Sequence, residues 1–210
     1  MRAVARIELL PTRFLPCGPG RPSPTFHPWL EVSARLRASL KAWSFDATLW
    51  RRWAVPFRAG APSIAEAVVF DSGRRAGAVG EPAPELRAGE AVLDDGLAEE
   101  VVSGLLARWR PELHRAAALG LVSEVGEPRD AFRRRCQAVL GEAVRGGALQ
   151  GDAGAAALQA VRASIESRFV EPTEVELLAA RAGIGWHGAE DQPGEAVGEL
   201  MVAGQVRTRR

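Results

Sequence analysis

The sequence predicts an α+β fold, mostly helical, with a few strands at the N-terminus and near the middle. Three observations lead there. Apolar residues recur at helical spacing in three segments, 97–113, 128–144 and 155–169. Residues 2–10 interleave Val4, Ile7, Leu9 and Leu10 with charged residues, as a half-buried strand does. Residues 64–70 form a short apolar run that ends in Asp71-Ser72-Gly73, a plausible turn. By composition the chain divides into 1–91, with a strand, a Pro/Gly loop and a Trp/Arg-rich helical region, and a helical 92–210. One continuous domain is the alternative.

In chain order, the N-terminal strand gives way to a Pro/Gly-rich loop, 11–28. It contains Cys17-Gly18-Pro19-Gly20-Arg21-Pro22, whose prolines oppose regular pairing. From Trp29 the spacing predicts a helix, with Leu30, Ala34, Leu36, Leu40 and Trp43 on one face and Arg35, Arg37 and Lys41 largely elsewhere. Residues 46–53 predict a short second helix capped by Asp46. The run 64–70 reads as a strand, with a short helix as competitor, and 71–91 as a mobile connection.

The clearest helix is 97–113. Leu97, Val101, Leu105, Trp109 and Leu113 recur every four residues, and Val102 and Leu106 widen the stripe. Asp94 and Asp95 at its start and Arg108 and Arg110 near its end complement the helix dipole. Pro111 either kinks this helix or begins a new one. The helix 128–144 carries Phe132, Cys136, Val139 and Leu140 on one face and a proline in its first turn. After the glycine-rich 145–154, a third helix, 155–169, is striped by Leu158, Val161, Ile165 and Phe169, with Asp152 as candidate cap. Thr173 and Glu176 then read as a capping box that opens another helix.

Bulk composition bounds the function. The 210 residues are 47% hydrophobic and 25% charged with net charge +1, which argues against a disordered chain and against a dedicated nucleic-acid binder. Arginine supplies 26 of the 27 basic residues, Lys41 being the only lysine. There is no secretory pattern, since Arg6 and Glu8 break the opening apolar stretch, and no apolar run of ~18 residues. A soluble cytoplasmic protein without membrane contact is the expectation. Cys17 and Cys136 read as free thiols, with a disulfide between them left open.

Catalytic motifs are sparse. Gly183-Ile184-Gly185-Trp186-His187-Gly188 matches the dinucleotide pattern G-x-G-x-x-G, whose chemistry needs a strand before it and a helix opening at its last glycine. The capping box ahead of it predicts a helix instead, so the glycines read as a helix stop followed by a turn. His27, His114, His187 and the two cysteines show no metal-ligand spacing, and no nucleophile elbow or phosphate loop is present. Asp94-Asp95, Glu99-Glu100 and Glu190-Asp191 are adjacent pairs that point apart on a helix. The sequence therefore assigns no catalytic, cofactor or metal residues.

Two clusters invite a partner. Trp43, Trp50, Arg51, Arg52 and Trp53 interleave indoles with guanidinium groups, a combination that stacks on bases or anchors protein interfaces. The competing reading has the tryptophans filling a core while the arginines cover its rim. Arg133, Arg134 and Arg135 read as a solvated or partner-facing basic face, turned away from Phe132 and Cys136.

Residues 121–136 hold Ser123, Gly126, Glu127, Phe132, Arg133 and Arg135 in the order Ser-x-x-Gly-Glu followed by Phe-Arg-x-Arg. This resembles the segment that follows the motor core in bacterial ATPases of the HerA/FtsK type. A fainter likeness covers Phe169 to Trp186, where that family resumes a strand ending in Trp. The motor core, its phosphate loop and the long coiled coil have no counterpart here, and the resemblance transfers no active site. It implies a non-catalytic partner of such an ATPase system. The function expected is thus a non-enzymatic interaction or accessory module with a protein partner or a second copy of itself. The alternatives are an enzyme whose site assembles on folding, from Asp71, Ser72 and His187 or the arginines, and a weak nucleic-acid contact through the Trp/Arg cluster.

Overall fold

A computed structural model of the chain describes residues 6–14, 25–69, 78–146, 156 and 164–188. In order these form strands β1 (Ile7–Leu9), β2 (Arg13–Phe14), β3 (Phe26–Leu40), β4 (Phe45–Arg58), β5 (Ala61–Pro62), β6 (Val68–Val69) and β7 (Ala78–Val79). Helix α1 (Asp95–Arg108), β8 (Glu112–Ala116), β9 (Leu121–Val122), helix α2 (Arg129–Arg145), β10 (Ile165–Phe169) and β11 (Val175–Gly188) follow. Strand outweighs helix, so the fold is α+β but mostly β, and the mostly helical expectation is overturned.

The correction begins at β3. Phe26, Pro28, Leu30, Val32, Ala34, Leu36, Ala38 and Leu40 are all buried, and the residues between them are mostly polar and more exposed. That is period two, a strand with one face on a core. Of the residues that suggested a helix, Leu30, Ala34, Leu36 and Leu40 are even-numbered and fit either period, while Trp43 lies past the strand in the 3₁₀ turn Lys41–Trp43. β4 repeats the ambiguity, because its buried Phe45, Leu49, Trp53 and Phe57 recur every four residues. Asp46 therefore caps no helix and lies exposed on this strand.

The chain separates into two compact units. Unit 1 holds the described residues within Met1–Arg37, Thr48–Trp109 and Glu176–Leu200. Its sheet has the order β5-β4-β3-β11-β2-β7, with β1 also on β11 and β6 on β4. β1 and β2 run parallel along the same strand: Leu9 is level with Ala182 and Arg13 with Gly185. The N-terminal chain thus spends one more residue than β11 over this stretch, a bulge around Leu10–Thr12. Leu10 N donates to Ala182 O at 2.7 Å, and Pro11, which has no N–H, sits where the ladder is interrupted. β4 turns into β5 through Ala59 and Gly60, both at positive φ (50° and 83°), as a tight hairpin turn requires.

Helix α1 starts where expected, with Asp94 Oδ1 accepting from Leu97 N at 2.7 Å, and buries Ala98, Val101, Val102 and Leu105. It stops at Arg108, short of the expected residue 113. Pro111 disfavours helical geometry at the residue before it, and Leu113 belongs to β8. The run from 64 is a 3₁₀ turn, Ile64–Glu66, and then the two-residue β6. The expected connection contains β7 and a 3₁₀ turn, Pro84–Leu86. Asp71, Ser72 and Cys17 lie outside the described residues.

Unit 2 holds Ala38–Ala47 and the described residues within Arg110–Val175. Its antiparallel sheet has the order β10-β8-β9. α2 matches the expected helix and buries Phe132, Cys136 and Leu140 against Ala116 and Ile165. The expected third helix ends differently: 165–169 is β10, and the part before it, Ala156 apart, lies outside the described residues with Asp152. The capping box is also displaced. Glu171 and Glu174 form it, around the 3₁₀ turn Pro172–Glu174, and the chain then enters β11 as a strand.

The alternation has a direct test in urea denaturation. Leu36→Ala should cost about 2–5 kcal/mol, as a cavity in a core does. Arg35→Ala, one residue away on the exposed side, should change stability by less than about 0.5 kcal/mol. Equal losses at both positions would contradict the two-sided strand.

Candidate functional site: the outer side of the long strands

Strand geometry divides the Trp/Arg cluster. Successive side chains of β4 point to opposite sides, so Arg51 and Trp53 share the side of Leu49, Val55 and Phe57, which are buried. Trp50 and Arg52 take the other side. Trp53 is 4% exposed and Trp50 52%. On β3 the corresponding outer positions include Arg35 and Arg37, both exposed, which the expected helix had placed on its rear face. Farther along, the same side closes over, with Trp29, Ala54 and Pro56 buried. The open part of the face is therefore the stretch around Arg35, Arg37, Trp50 and Arg52.

Ion pairs edge this face in unit 1. Arg181 Nε lies 2.7 Å from Glu8 Oε2, between neighbouring positions of β11 and β1. Arg58 Nη2 lies 2.7 Å from Glu66 Oε2. Hydrogen bonds from Arg58 and then Ser63 Oγ hold the Glu66 carboxyl below the usual carboxylate range.

The glycine pattern has a structural job. It lies inside β11 rather than after a helix, so the expected helix stop is corrected. Gly183-Ile184-Gly185-Trp186-His187-Gly188 is extended strand throughout and forms no phosphate-cradling turn. A Cβ at Gly183 would come within 2.9 Å of Leu10 Cβ and 3.3 Å of Leu10 O, the backbone of the bulge. A Cβ at Gly185 would meet Glu31 Oε1 at 2.5 Å and His187 Nε2 at 2.8 Å. His187 Nε2 and Glu31 Oε1 are themselves 2.8 Å apart, so the pair spans from β11 to β3 across the space Gly185 leaves. Arg13, level with Gly185 in the ladder, projects to the same side. Trp186 projects to the other side and is buried beneath the Arg87 guanidinium, 5.6 Å from the ring centre. Glu81, at 2.7 Å, and the Pro82 carbonyl, at 2.6 Å, fix that guanidinium.

In unit 2 the basic run does not act as one face. Arg133 pairs with Asp130 at 3.1 Å and Arg134 is exposed, but Arg135 turns inward. Its guanidinium lies over the Phe132 ring at 5.1 Å, donates to Glu127 Oε2 at 2.6 Å and reaches Val122 O at 3.0 Å. Glu127 also accepts from Glu124 N at 2.9 Å, closing a turn in which Gly126 has φ 84°. Ser123 Oγ accepts from His114 N at 2.9 Å. Of the residues that carry the ATPase resemblance, Gly126, Glu127, Phe132 and Arg135 thus form a latch between the β9 turn and α2, Ser123 ties that turn to β8, and Arg133 stays on the surface of α2.

His114 is buried, with Nδ1 2.8 Å from Ser167 Oγ on the paired strand. Burial pushes its pKa below the ordinary value. Burial likewise pushes up the thiol of Cys136, which is free. Among the described residues no three His, Cys, Asp or Glu side chains converge as metal ligands. Sequence reasoning missed Arg35, Arg37 and the Glu31–His187 pair. The alternation through 26–40 was the signal for the first two.

No protein-family model, curated protein or solved structure matches the chain. The site therefore has to be argued from its geometry.

Two predictions follow from these contacts. Gly183→Ala should cost about 1–3 kcal/mol, since its Cβ meets backbone and a branch point that cannot swing away. Gly185→Ala should cost less, because only side-chain ends stand in its way. Its cost should shrink in a Glu31→Ala background, which removes the nearer contact and releases His187 to turn aside, and an undiminished cost there would refute the crossing pair.

For His114, the unfolded chain takes up a proton below about pH 6.5 and the folded chain does so only at lower pH. Stability should be full above that value and fall as pH drops through it. The urea midpoint should decline as pH falls below about 6.5, and less steeply in His114→Gln. Parallel profiles for the two proteins would show that His114 is not the group responsible.

Proposed function

We propose that the chain is a non-enzymatic interaction module working through the outer side of β3 and β4. The observation that supports this is Trp50. An indole that is 52% exposed contributes little to the core, while Trp53 on the opposite side is 4% exposed and does contribute. Tryptophan and arginine are the residue types that dominate binding hot spots, and Trp50 sits among exposed or half-exposed arginines on a strand surface. A link to a larger ATPase system has its support in the 121–136 resemblance alone. The latch accounts for Glu127, Phe132 and Arg135, and the bond to His114 for Ser123, without one.

Capture from an extract of the native host tests the proposal. The wild type and Val139→Ser, a control at an exposed apolar position on α2, should retain the same discrete protein or nucleic acid. Trp50→Ala, checked for an unchanged unfolding midpoint, should lose it. Equal retention by Trp50→Ala, or no retention by any form, would overturn the reading.

A further inference from the structure

We infer that the partner of the Trp50 face is single-stranded nucleic acid, an inference that rests on the interaction reading above. The first argument is charge. Overall the chain is close to neutral, at +1, yet the outer positions of β3 and β4 carry Arg35, Arg37 and Arg52, together with Arg58, which Glu66 pairs, against the acids Glu31 and Asp46. Glu31 is engaged by His187 at 2.8 Å. Around Trp50 guanidinium groups thus outnumber carboxylates, and a polyanion is the electrostatic complement of that excess.

The second argument is shape and chemistry. Trp50 projects from an extended strand between arginine-bearing positions, so a ring stacked on it would carry its phosphates towards guanidinium groups. Guanidinium forks suit phosphate oxygens through paired N–H donors. Arg37 and Arg52 also make contacts within the chain, which limits the freedom they would lose on binding. An unpaired base offers its face to the indole, while the bases of a duplex are already stacked on one another. That selects the single strand over the duplex.

Fluorescence anisotropy with labelled oligo-deoxythymidine and oligo-uridine tests the inference on the full chain. Binding should be measurable at about 50 mM salt and weaken steeply by about 200 mM. Trp50→Ala should weaken it about tenfold with little change in salt dependence. Arg35→Ala should lower the salt slope by about one and leave the stacking contribution intact. A duplex of equal length should bind more weakly than either single strand. No binding at about 50 mM salt, a duplex bound as tightly, or Trp50→Ala bound like wild type would each overturn it. If oligonucleotide binding fails while Trp50→Ala still loses a protein in the capture experiment, the face is a protein site. In that case this inference falls and the interaction reading stands, whereas failure of both experiments removes both.

Discussion

β11 is bonded to β3 on one side and to the broken β1–β2 strand on the other. The rest of unit 1 depends on both neighbours reaching it at the ~4.8 Å spacing of a ladder. Where the N-terminal chain bulges at Leu10, its backbone comes too near for any side chain, and Gly183 stands opposite. Where Glu31 crosses from β3 to His187, the space needed is above the strand, and Gly185 leaves it open. The same segment places Trp186 on the opposite side, under Arg87 and level with Phe14, whose ring meets Phe26 edge-on at 6.0 Å. One stretch of strand thereby fixes the N-terminal chain, aligns β3 and closes the core.

Fixing β3 has a consequence for the surface. The core side of β3 and β4 buries Leu30, Val32, Leu36, Leu40, Phe45, Leu49, Trp53, Val55 and Phe57. Each large apolar side chain is worth roughly 1.5–3 kcal/mol, against roughly 1–2 kcal/mol per residue for ordering the backbone. That balance is met on one side of the strands. The outer side is released from it around residues 33–37 and 48–52 and is open to selection for other properties. Unit 2 shows the opposite economy. There the Arg135–Glu127 pair and the Phe132 ring serve the join between the β9 turn and α2, and Ser123 ties the same turn to β8.

How much of this was legible follows from the periods involved. α2 could be read although its buried Phe132, Cys136 and Leu140 also recur every four residues, because Pro128 suits the start of a helix and the glycines from Gly146 mark its end. β3 and β4 could not be read from repeats of four, which are common to a helix turn and two strand steps. Their Ala, Leu and Arg content also favours helix, and sheet pairing overrode that propensity. β11 was hidden by a Thr-x-x-Glu pattern two residues out of register with the true capping pair, Glu171 and Glu174. Within the site, Trp50 was visible as part of a cluster, but which side it faced was not. The Glu31–His187 pair joins residues 156 positions apart and has no local signal.

Charge shows the same limit from another direction. A net charge of +1 argued against nucleic acid, but net charge is a sum over the whole surface and a ligand meets one face. The acids that balance the arginines include Asp94, Asp95, Glu99 and Glu100, exposed on or beside the first half of α1. Composition bias can supply the arginines, but it does not choose the parity of positions 35, 37 and 52. Those positions share their side with one exposed indole and two acids, Glu31, hydrogen-bonded to His187, and Asp46, so guanidinium groups outnumber carboxylates around Trp50 on a near-neutral chain.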